Sequence, residues 1–355
     1  MSLGQRRYGT YLKGALRVSL GLLLGLGISS IFIIVSSPDP VGAYVALLDG
    51  AFGSPESISE NILKATPLIL TGLAVAVAFK ANVYNIGAEG QMYVGGIMTA
   101  AVALTVPVLP SFAFIPLLMI ASFFGGALWA SIAAFLKVKY GVNEIITTLL
   151  MNWIPFYVVQ YLVTGPLQEK DPLKLPETDP LPEAARLIRL IPTGPYRVHL
   201  GIAIAVISCV LLYFFLWRTS KGLEFRSTGT APEASRSLGI DVGRRMMQAM
   251  LISGGLAAFA GLSEVAGTLG RLKLGSSNIL GYGYAGILVA LVANLHPILV
   301  IPSGIFFSTL IVGSESMQRG AGVPISVVYI VEGIFVLSIL IVNLLAGRRK
   351  IPWLT

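Results

Sequence analysis

The sequence predicts an all-α, polytopic membrane protein, and composition, apolar runs and basic clusters all support this prediction. Hydrophobic residues make up 55% of the 355 residues and charged residues only 12%, against about 25% charged residues in an ordinary soluble domain. Apolar runs of roughly 18 to 25 residues recur along the chain, and each can cross a hydrocarbon core about 30 Å thick as a helix. The basic residues cluster at the ends of these runs, so the net charge of +8 indicates membrane orientation rather than nucleic-acid binding.

Eight apolar segments are predicted as membrane spans within a single transmembrane domain that covers residues 1–355. They are 17–36, 61–79, 86–107, 112–136, 144–164, 199–217, 246–267 and 327–345. The first follows a basic stretch, as in a signal peptide, but it is too long and lacks a small-residue cleavage site, which favours an uncleaved span. With the N-terminus in the cytoplasm, most basic residues of the short loops lie on the inner side, so both termini are predicted to be cytoplasmic.

The segment 283–313 is apolar but is interrupted by the steps His296-Pro297 and Pro302-Ser303-Gly304. This pattern predicts two short helices, each rising about 20 Å at about 1.5 Å per residue. They either cross the membrane twice or form a re-entrant pair buried in protein, so eight to ten transmembrane helices are expected. His296 is expected to be a hydrogen-bonded structural residue rather than a metal ligand, since the sequence offers no His or Cys cluster.

Two polar segments interrupt the apolar pattern: 165–198, predicted as an outer loop, and 218–245, predicted as a cytoplasmic coupling loop. The stretch from Thr230 to Glu233 has the pattern of a capping box with Thr230 at the N-cap, and Gly239 is typical of a C-terminal cap. We therefore expect a helix of about two turns, which is marginal alone and should be held by another element. It is either a coupling helix that docks on a cytoplasmic ATPase or an ordinary amphipathic loop helix.

Polar residues inside the predicted spans are candidates for a substrate path, because ionisable groups at membrane depth usually face the bundle interior or water. Two sets of residues have a spacing of four, which places each set on one helical face: the first is Asn85, Glu89 and Tyr93, and the second is Glu144, Thr148 and Asn152. The candidates are Asn85, Glu89, Tyr93, Asn143, Glu144, Thr148, Asn152 and Trp153. Their amides and aromatic rings offer hydrogen bonds and stacking together, as an uncharged, hydroxyl-rich ring requires. The structural alternative is that these residues hold helices together or cap a broken helix.

Catalytic patterns are absent from the sequence. It carries no G-x-x-x-x-G-K-[ST] phosphate loop, so we expect no ATP hydrolysis by this chain. No acid, base or metal-ligand set typical of an intramembrane enzyme is visible either. A transport subunit is therefore favoured over an enzyme, and the chain itself is expected to bind no cofactor.

Four segments carry a resemblance to a known family. They are FKANVYNIGAEGQMYVGG at 79–96, YGVNEIITTLLMNWI at 140–154, APEASRSLGIDV at 231–242 and GYGYAGILVALVANLHP at 281–297. From about residue 60 onward, the chain resembles permeases of the ABC importer family that handles branched-chain amino acids, simple sugars and nucleosides. The first segment is most like the nucleoside branch, that is, guanosine-type permeases that depend on a basic membrane lipoprotein.

The resemblance implies a subunit that translocates nucleosides across the cytoplasmic membrane by ATP-driven alternating access. It implies a second homologous permease, forming a heterodimer, a cytoplasmic ABC ATPase that binds ATP and Mg, and an extracytoplasmic substrate-binding lipoprotein. The residues expected to contact the ATPase are Ala231, Pro232, Glu233, Ala234, Ser235, Leu238, Gly239 and Ile240. A simple-sugar permease of the ribose type is the first alternative. An ion-coupled secondary transporter, which also needs midplane helix breaks, is the second.

Overall fold

The computed structural model describes residues 3–36, 39–191, 194–273 and 281–348, and within these ranges the regular structure is helical. The described helices are α1 (Leu3–Ser36), α2 (Pro40–Phe52), α3 (Pro55–Lys80), α4 (Ala88–Thr105), α5 (Ser111–Tyr140), α6 (Glu144–Leu150), α7 (Trp153–Thr164), α8 (Gly201–Arg218), α9 (Ser220–Thr230), α10 (Pro232–Ser237), α11 (Val242–Leu262), α12 (Tyr282–Val292), α13 (Val300–Ala321) and α14 (Ile325–Arg348). A π-helical turn, Ser263–Leu269, extends α11.

The prediction of a polytopic helical membrane protein is confirmed. Seven segments in the described ranges are long and apolar enough to cross a membrane. They are Ser19–Ser36, Pro55–Lys80, Ser111–Tyr140, Glu144–Thr164, Gly201–Arg218, Val242–Leu269 and Val300–Ala321. The predicted spans 86–107 and 327–345 are also helical, as α4 and α14, whereas α2 and α12 are shorter apolar helices.

Two helical segments differ from the sequence prediction. Helix α2 has no counterpart among the predicted spans. It forms because the Asp39 carboxylate accepts a hydrogen bond from the Gly42 amide at 2.8 Å, and Pro40 suits a first helical turn. The predicted span 144–164 is divided into α6 and α7, because the chain leaves regular helix at Met151 and Asn152.

The predicted pair of short helices at 283–313 is wrong in its second half, because α13 is 22 residues long while α12 has only 11. The break lies at 293–299, where Asn294 and Leu295 have left-handed φ values of 51° and 55°. Pro302 does not interrupt α13, since it lies in the first turn, where its missing N–H removes no helical hydrogen bond.

The chain forms two compact units. The first comprises Met1–Ile58 and Thr309–Thr355. Within it α1 packs along α14, and a Cβ on Gly21 would lie 2.7 Å from the Ile339 Cα, so this approach requires glycine. The Tyr44 hydroxyl of α2 donates to the Leu26 carbonyl at 2.9 Å, which fastens α2 to α1.

The second unit comprises Ser59–Ser308, and α3 and α11 form its core. In the most apolar stretch of α3, 89% of the residues are buried, and in that of α11 with its π-helical turn the share is 83%. The corresponding share is only 33% in both α5 and α8. Small residues bring the helices close: Gly254 of α11 lies against the Gly126 carbonyl of α5, and Gly261 lies against the Met92 carbonyl of α4. The helices α4, α5 and α11 therefore form a tight scaffold next to the polar residues predicted from the sequence.

Candidate functional site

The two predicted polar faces meet at one place, where the turn 81–87, the start of α4 and the junction of α6 and α7 come together. Asn152 makes this connection. Its Oδ1 accepts a hydrogen bond from the Gly90 amide at 2.9 Å, and its Nδ2 donates to the Ile86 carbonyl at 3.0 Å. Gly90 is required there, because a Cβ would lie 2.8 Å from the Asn152 Cα. Residues that are some 60 positions apart in the chain thus form a single buried polar cluster.

Asn85 belongs to this cluster, but not to the helical face predicted with Glu89 and Tyr93. Helix α4 begins only at Ala88, so Asn85 lies in the preceding turn. Its Nδ2 donates to Gln91 Oε1 at 2.9 Å and to Ser253 Oγ at 2.8 Å, and its Oδ1 accepts from the Gly87 amide at 2.8 Å. Asn85 therefore ties the turn to both α4 and α11.

Glu89 caps the N-terminus of α12. Its Oε1 accepts a hydrogen bond from the Gly281 amide at 2.8 Å, and its Oε2 accepts one from the Gly283 amide at 2.7 Å. Free amides and the helix dipole favour a negative charge at a helix N-terminus. A Cβ on Gly283 would collide with the Glu89 backbone, so glycine permits the contact. The Tyr93 side chain adds a further hydrogen bond to this carboxylate. Glu89 thus joins α4 to the start of α12, which agrees with the alternative that these residues hold helices together.

The face on α6 is held in the same way. Glu144 is buried and forms an ion pair with Lys137 at 2.7 Å. Thr148 Oγ1 donates to the Glu144 carbonyl at 2.6 Å and accepts from the Ile86 amide at 3.2 Å. Asn143 is exposed and caps α6, accepting a hydrogen bond from the Ile145 amide at 2.9 Å. These contacts dock α6 on the turn 81–87.

An aromatic surface adjoins the cluster. Trp153 is 54% exposed and stacks on Tyr157, which is 59% exposed, with ring centroids 6.4 Å apart. The ring of Phe156 bridges the surface to the buried cluster, because it contacts Trp153 at 6.0 Å and Tyr93 at 5.9 Å. Tyr284 of α12 is also partly exposed, and its hydroxyl accepts a hydrogen bond from Asn152 Nδ2 at 3.1 Å. Exposed rings and a hydroxyl thus lie beside a rigid polar base.

A second buried carboxyl lies elsewhere in the same unit, in the π-helical turn that extends α11. Glu264 Oε1 accepts a hydrogen bond from Thr268 Oγ1 at 3.2 Å, while Oε2 is buried and has no hydrogen-bond partner among the described residues. π-Helical turns of this kind are frequent at functional sites. The free oxygen can accept a hydrogen bond from a ligand.

His199 is linked to this carboxyl through Thr268. His199 Nδ1 accepts from the Gly201 amide at 3.1 Å, which assigns the ring proton to Nε2, and Nε2 lies 3.4 Å from Thr268 Oγ1. Burial lowers the pKa of His199 to about 4, so the ring is neutral at neutral pH. A chain of hydrogen bonds therefore runs from the start of α8 to Glu264.

The predicted coupling segment contains two helices, and its predicted capping box is wrong. Helix α9 runs through to Thr230, whose hydroxyl donates to the Arg226 carbonyl at 2.8 Å and is not available to cap α10. The N-cap of α10 is Ala231, and Glu233 pairs with Arg236 at 2.7 Å. A Thr hydroxyl inside a helix commonly bonds to the preceding turn in this way.

The predicted C-terminal cap is confirmed. Gly239 has a left-handed φ of 82°, its amide donates to the Arg236 carbonyl at 2.9 Å, and the Ile240 amide donates to the Ser235 carbonyl at 3.0 Å. Leu238, next to this cap, is 79% exposed. Of the residues expected to contact an ATPase, Ser235 is buried and Pro232 and Ile240 are partly buried, while the others are exposed.

Comparison with known proteins decides the family. The family described as the permease component of the branched-chain amino acid transport system matches residues 57–341. The chain belongs to this permease family. It is 34% identical over 329 residues to a glucose ABC transporter permease of Haloferax volcanii, covering 90% of this chain and 86% of that protein. It is 33% identical over 345 residues to a guanosine ABC transporter permease of Bacillus subtilis, covering 93% and 95%.

A nucleoside ABC transporter permease of Lactococcus lactis is 28% identical over 327 residues, covering 90% of this chain and 89% of that protein. The permease is therefore a multi-pass membrane protein with relatives named for both nucleosides and a sugar.

The permease brings together most of the predicted path residues but places them in different roles. Asn85, Glu89, Tyr93, Glu144, Thr148 and Asn152 are buried in one cluster, whereas Asn143 and Trp153 are exposed. Three further residues of the site, Gln91, Ser253 and Tyr284, are not predicted from the sequence. Gln91 and Tyr284 lie inside segments that carry the family resemblance, so a signal existed for them. Ser253 lies 168 residues from Asn85, and no local pattern indicates that contact.

Proposed function

We infer that this chain is a membrane-spanning subunit of an ABC importer and translocates nucleosides by ATP-driven alternating access. The guanosine permease relative, which aligns over almost the whole of both chains, carries this proposal. In this mechanism the substrate is passed unchanged between states that bind it with different affinity.

The proposed substrate path runs along the aromatic surface. A nucleobase can stack on the exposed rings of Trp153 and Tyr157, and the Tyr284 hydroxyl can hydrogen-bond a base or ribose group. Because the buried cluster beneath already uses its own polar groups, it supports this surface rather than contacting substrate. Asn152, which bonds both Tyr284 and the start of α4, holds the surface in place. Glu264 joins the proposed path as a second contact, since its Oε2 is buried without a partner.

The proposed energy input is at α10. ATP and Mg would bind to a separate ATPase subunit. That subunit would contact the exposed side of α10 and the adjoining Leu238. An exposed leucine beside small alanines suits a shallow apolar groove on a partner. Ala231, Glu233, Ala234 and Gly239 share this exposed side, whereas Ser235 is buried and supports it from within. A second homologous permease and an extracytoplasmic binding lipoprotein would complete the importer.

The second candidate function is sugar import. The glucose permease relative favours it, since its identity to this chain equals that of the guanosine permease within one percentage point. An ion-coupled secondary transporter is disfavoured, because the chain belongs to a family of ABC permease components.

An uptake panel tests the proposal. The assembled importer, reconstituted in proteoliposomes, would be given labelled guanosine, guanine, ribose and glucose, with and without ATP. We expect saturable, ATP-dependent uptake of guanosine and no uptake of the sugars. Uptake of glucose or ribose alone would replace the nucleoside assignment by the sugar assignment, and guanosine uptake that is insensitive to ATP would contradict the ABC mechanism.

A further inference from the structure

Four side chains from three helices and one break surround the indole ring of Trp217, at the point where α3 and α8 end and α9 begins. The guanidinium carbon of Arg226 lies 5.5 Å from the centroid of Trp217, and Lys80 Nζ lies 5.8 Å from it. The His296 ring lies 4.9 Å from Trp217, and Tyr213 stacks on the same ring at 5.7 Å with an interplanar angle of 18°. These four side chains and Trp217 are all partly buried, and together they form the half-buried cluster that we call the recess.

Within the part of the chain that the structure describes, the side chains around Trp217 include two cations and no carboxylate. Among the described residues neither Lys80 nor Arg226 forms an ion pair, and Glu224 of α9 is paired with Arg245 at 2.5 Å. Like charges that share one ring repel each other, which is unfavourable without a counter-ion. Cation–π contacts with Trp217 offset only part of this repulsion.

Two polar atoms in the recess also lack partners. Arg226 Nε and His296 Nδ1 are both buried and make no hydrogen bond in the described part of the chain. The expectation of a hydrogen-bonded His296 side chain is therefore wrong at Nδ1, because its surroundings are the rings of Tyr213 and Trp217. Buried polar groups are usually paired, so an orphaned donor next to two uncompensated cations indicates a missing acceptor.

The geometry of the recess suits a phosphate at the membrane boundary. Several oxygen atoms on one anion can meet donors from Lys80, Arg226 and His296 at the same time. Tryptophan and tyrosine at the end of a span are typical of the depth of lipid headgroups. An apolar strip leads away from the recess along α8, where Val210 is 38% exposed and Phe214 is 53% exposed. These residues stand seven and three positions before Trp217, so they share its helical face.

We propose that Lys80, Arg226 and His296 bind the phosphate headgroup of an anionic phospholipid, whose acyl chain lies along Val210 and Phe214. Basic recesses between helix ends are suited to such headgroups. The apolar strip favours a lipid over free phosphate, because an acyl chain can pack against it and a phosphate ion cannot.

The bound lipid would connect two functional parts of the chain. Lys80 ends α3 and leads into the turn 81–87, while Arg226 belongs to α9, which precedes the coupling helix. The backbones already touch here, since Gly229 lies against the Lys80 carbonyl and tolerates no Cβ. A headgroup that bridges Lys80 and Arg226 therefore holds the coupling segment to the polar cluster.

Native mass spectrometry of the delipidated permease tests this site. Phosphatidylglycerol, phosphatidylcholine and inorganic phosphate would each be added to the wild type and to the double variant Lys80→Gln/Arg226→Gln. The matched control is Arg218→Gln/Lys221→Gln. It removes two exposed basic residues where α8 ends and α9 begins. We expect at least fivefold fewer phosphatidylglycerol adducts on the double variant, wild-type adducts on the control and few phosphatidylcholine adducts on any protein.

Three outcomes would overturn the proposal. Equal loss of adducts in the control would show a diffuse charge effect, and equal binding of both lipids would remove the role of the anion. Displacement of phosphatidylglycerol by millimolar inorganic phosphate would identify a free-anion site. Should the double variant not fold, Arg226→Lys and Arg226→Gln replace it: the first is expected to keep the adducts, and the second to reduce them at least threefold. Equal adducts on these two variants would contradict the proposal.

Discussion

Glu89 and Glu264 are both buried carboxyls in one helical unit, but their surroundings differ. Each oxygen of Glu89 accepts a backbone amide from the start of α12, whereas one oxygen of Glu264 has no partner among the described residues. A carboxyl whose oxygens are all used by the protein holds the protein together. A carboxyl with a free oxygen can bind something else. Burial of an acidic residue in a membrane protein therefore does not by itself mark the substrate path.

The largest effect is expected for Glu89→Ala. The substitution leaves the Gly281 and Gly283 amides without acceptors, and each buried donor costs about 1–3 kcal/mol. We expect the free energy of unfolding to fall by about 4 kcal/mol, measured by denaturant titration in detergent micelles. Glu183→Ala, which removes an exposed carboxylate, is the control and should change it by less than about 0.5 kcal/mol. Equal stability of the two variants would show that Glu89 does not cap α12.

Gly90→Ala tests the same cluster from the other side. The new Cβ would meet the Asn152 backbone, and such overpacking costs about 1–3 kcal/mol. We expect a loss of about 2 kcal/mol in unfolding free energy, together with lower uptake because the aromatic surface loses its base. Gly27→Ala is the control, since nothing lies within 4 Å of a Cβ there and alanine favours helix. A stable Gly90→Ala variant would mean that the α6–α7 junction is not held to α4.

The pH dependence of stability tests the hydrogen-bond chain that ends at Glu264. Burial lowers the pKa of His199 from its ordinary value of 6.5 to about 4. Between these two pH values His199 is therefore protonated in the unfolded chain but neutral in the folded chain. Stability is therefore lost as pH falls from about 6.5 towards 4, with about 1.8 kcal/mol lost between pH 7 and 5. His199→Gln should lack this share of the pH dependence. Parallel curves for wild type and variant would show that His199 is not held neutral.

Glu264→Gln separates binding from stability. The isosteric amide keeps the Thr268 contact, so we expect the unfolding free energy to change by less than about 1 kcal/mol. Uptake should fall about tenfold, which corresponds to about 1.4 kcal/mol of lost interaction. Wild-type uptake by this variant would show that Glu264 does not belong to the proposed path. The path would then consist of the aromatic surface only.

Much of the fold follows from the sequence because membrane spans are a matter of local composition. The apolar runs identify α4 and α8 to within two residues at each end, and Gly239 identifies a helix end because its backbone needs a left-handed φ. The prediction for Thr230 is wrong because its hydroxyl can bond either to the next helix or to the preceding turn. The sequence alone does not determine which bond forms. Pro302 misleads in the same way, since a proline is harmless in a first turn and disruptive later.

The roles of the site residues depend on contacts between distant parts of the chain. Spacing places Glu89 and Tyr93 on one face, but only the fold brings Gly281 and Gly283 to Glu89, 192 and 194 residues away. The same holds for Glu264, which has no polar neighbours at a telling spacing in the sequence apart from Thr268. Glu264 lies in a π-helical turn, and no residue pattern predicts that turn.

ATP-driven guanosine uptake by a Leu238→Asp variant tests the central claim most directly. Leu173→Asp is the matched control, because Leu173 is 76% exposed, close to the 79% of Leu238, but lies in the segment 165–198. The importer account predicts that Leu238→Asp lowers both ATPase association and uptake at least tenfold, while Leu173→Asp keeps the ATPase bound. Uptake at the wild-type rate by Leu238→Asp would contradict the account, because energy would then not enter the permease through α10.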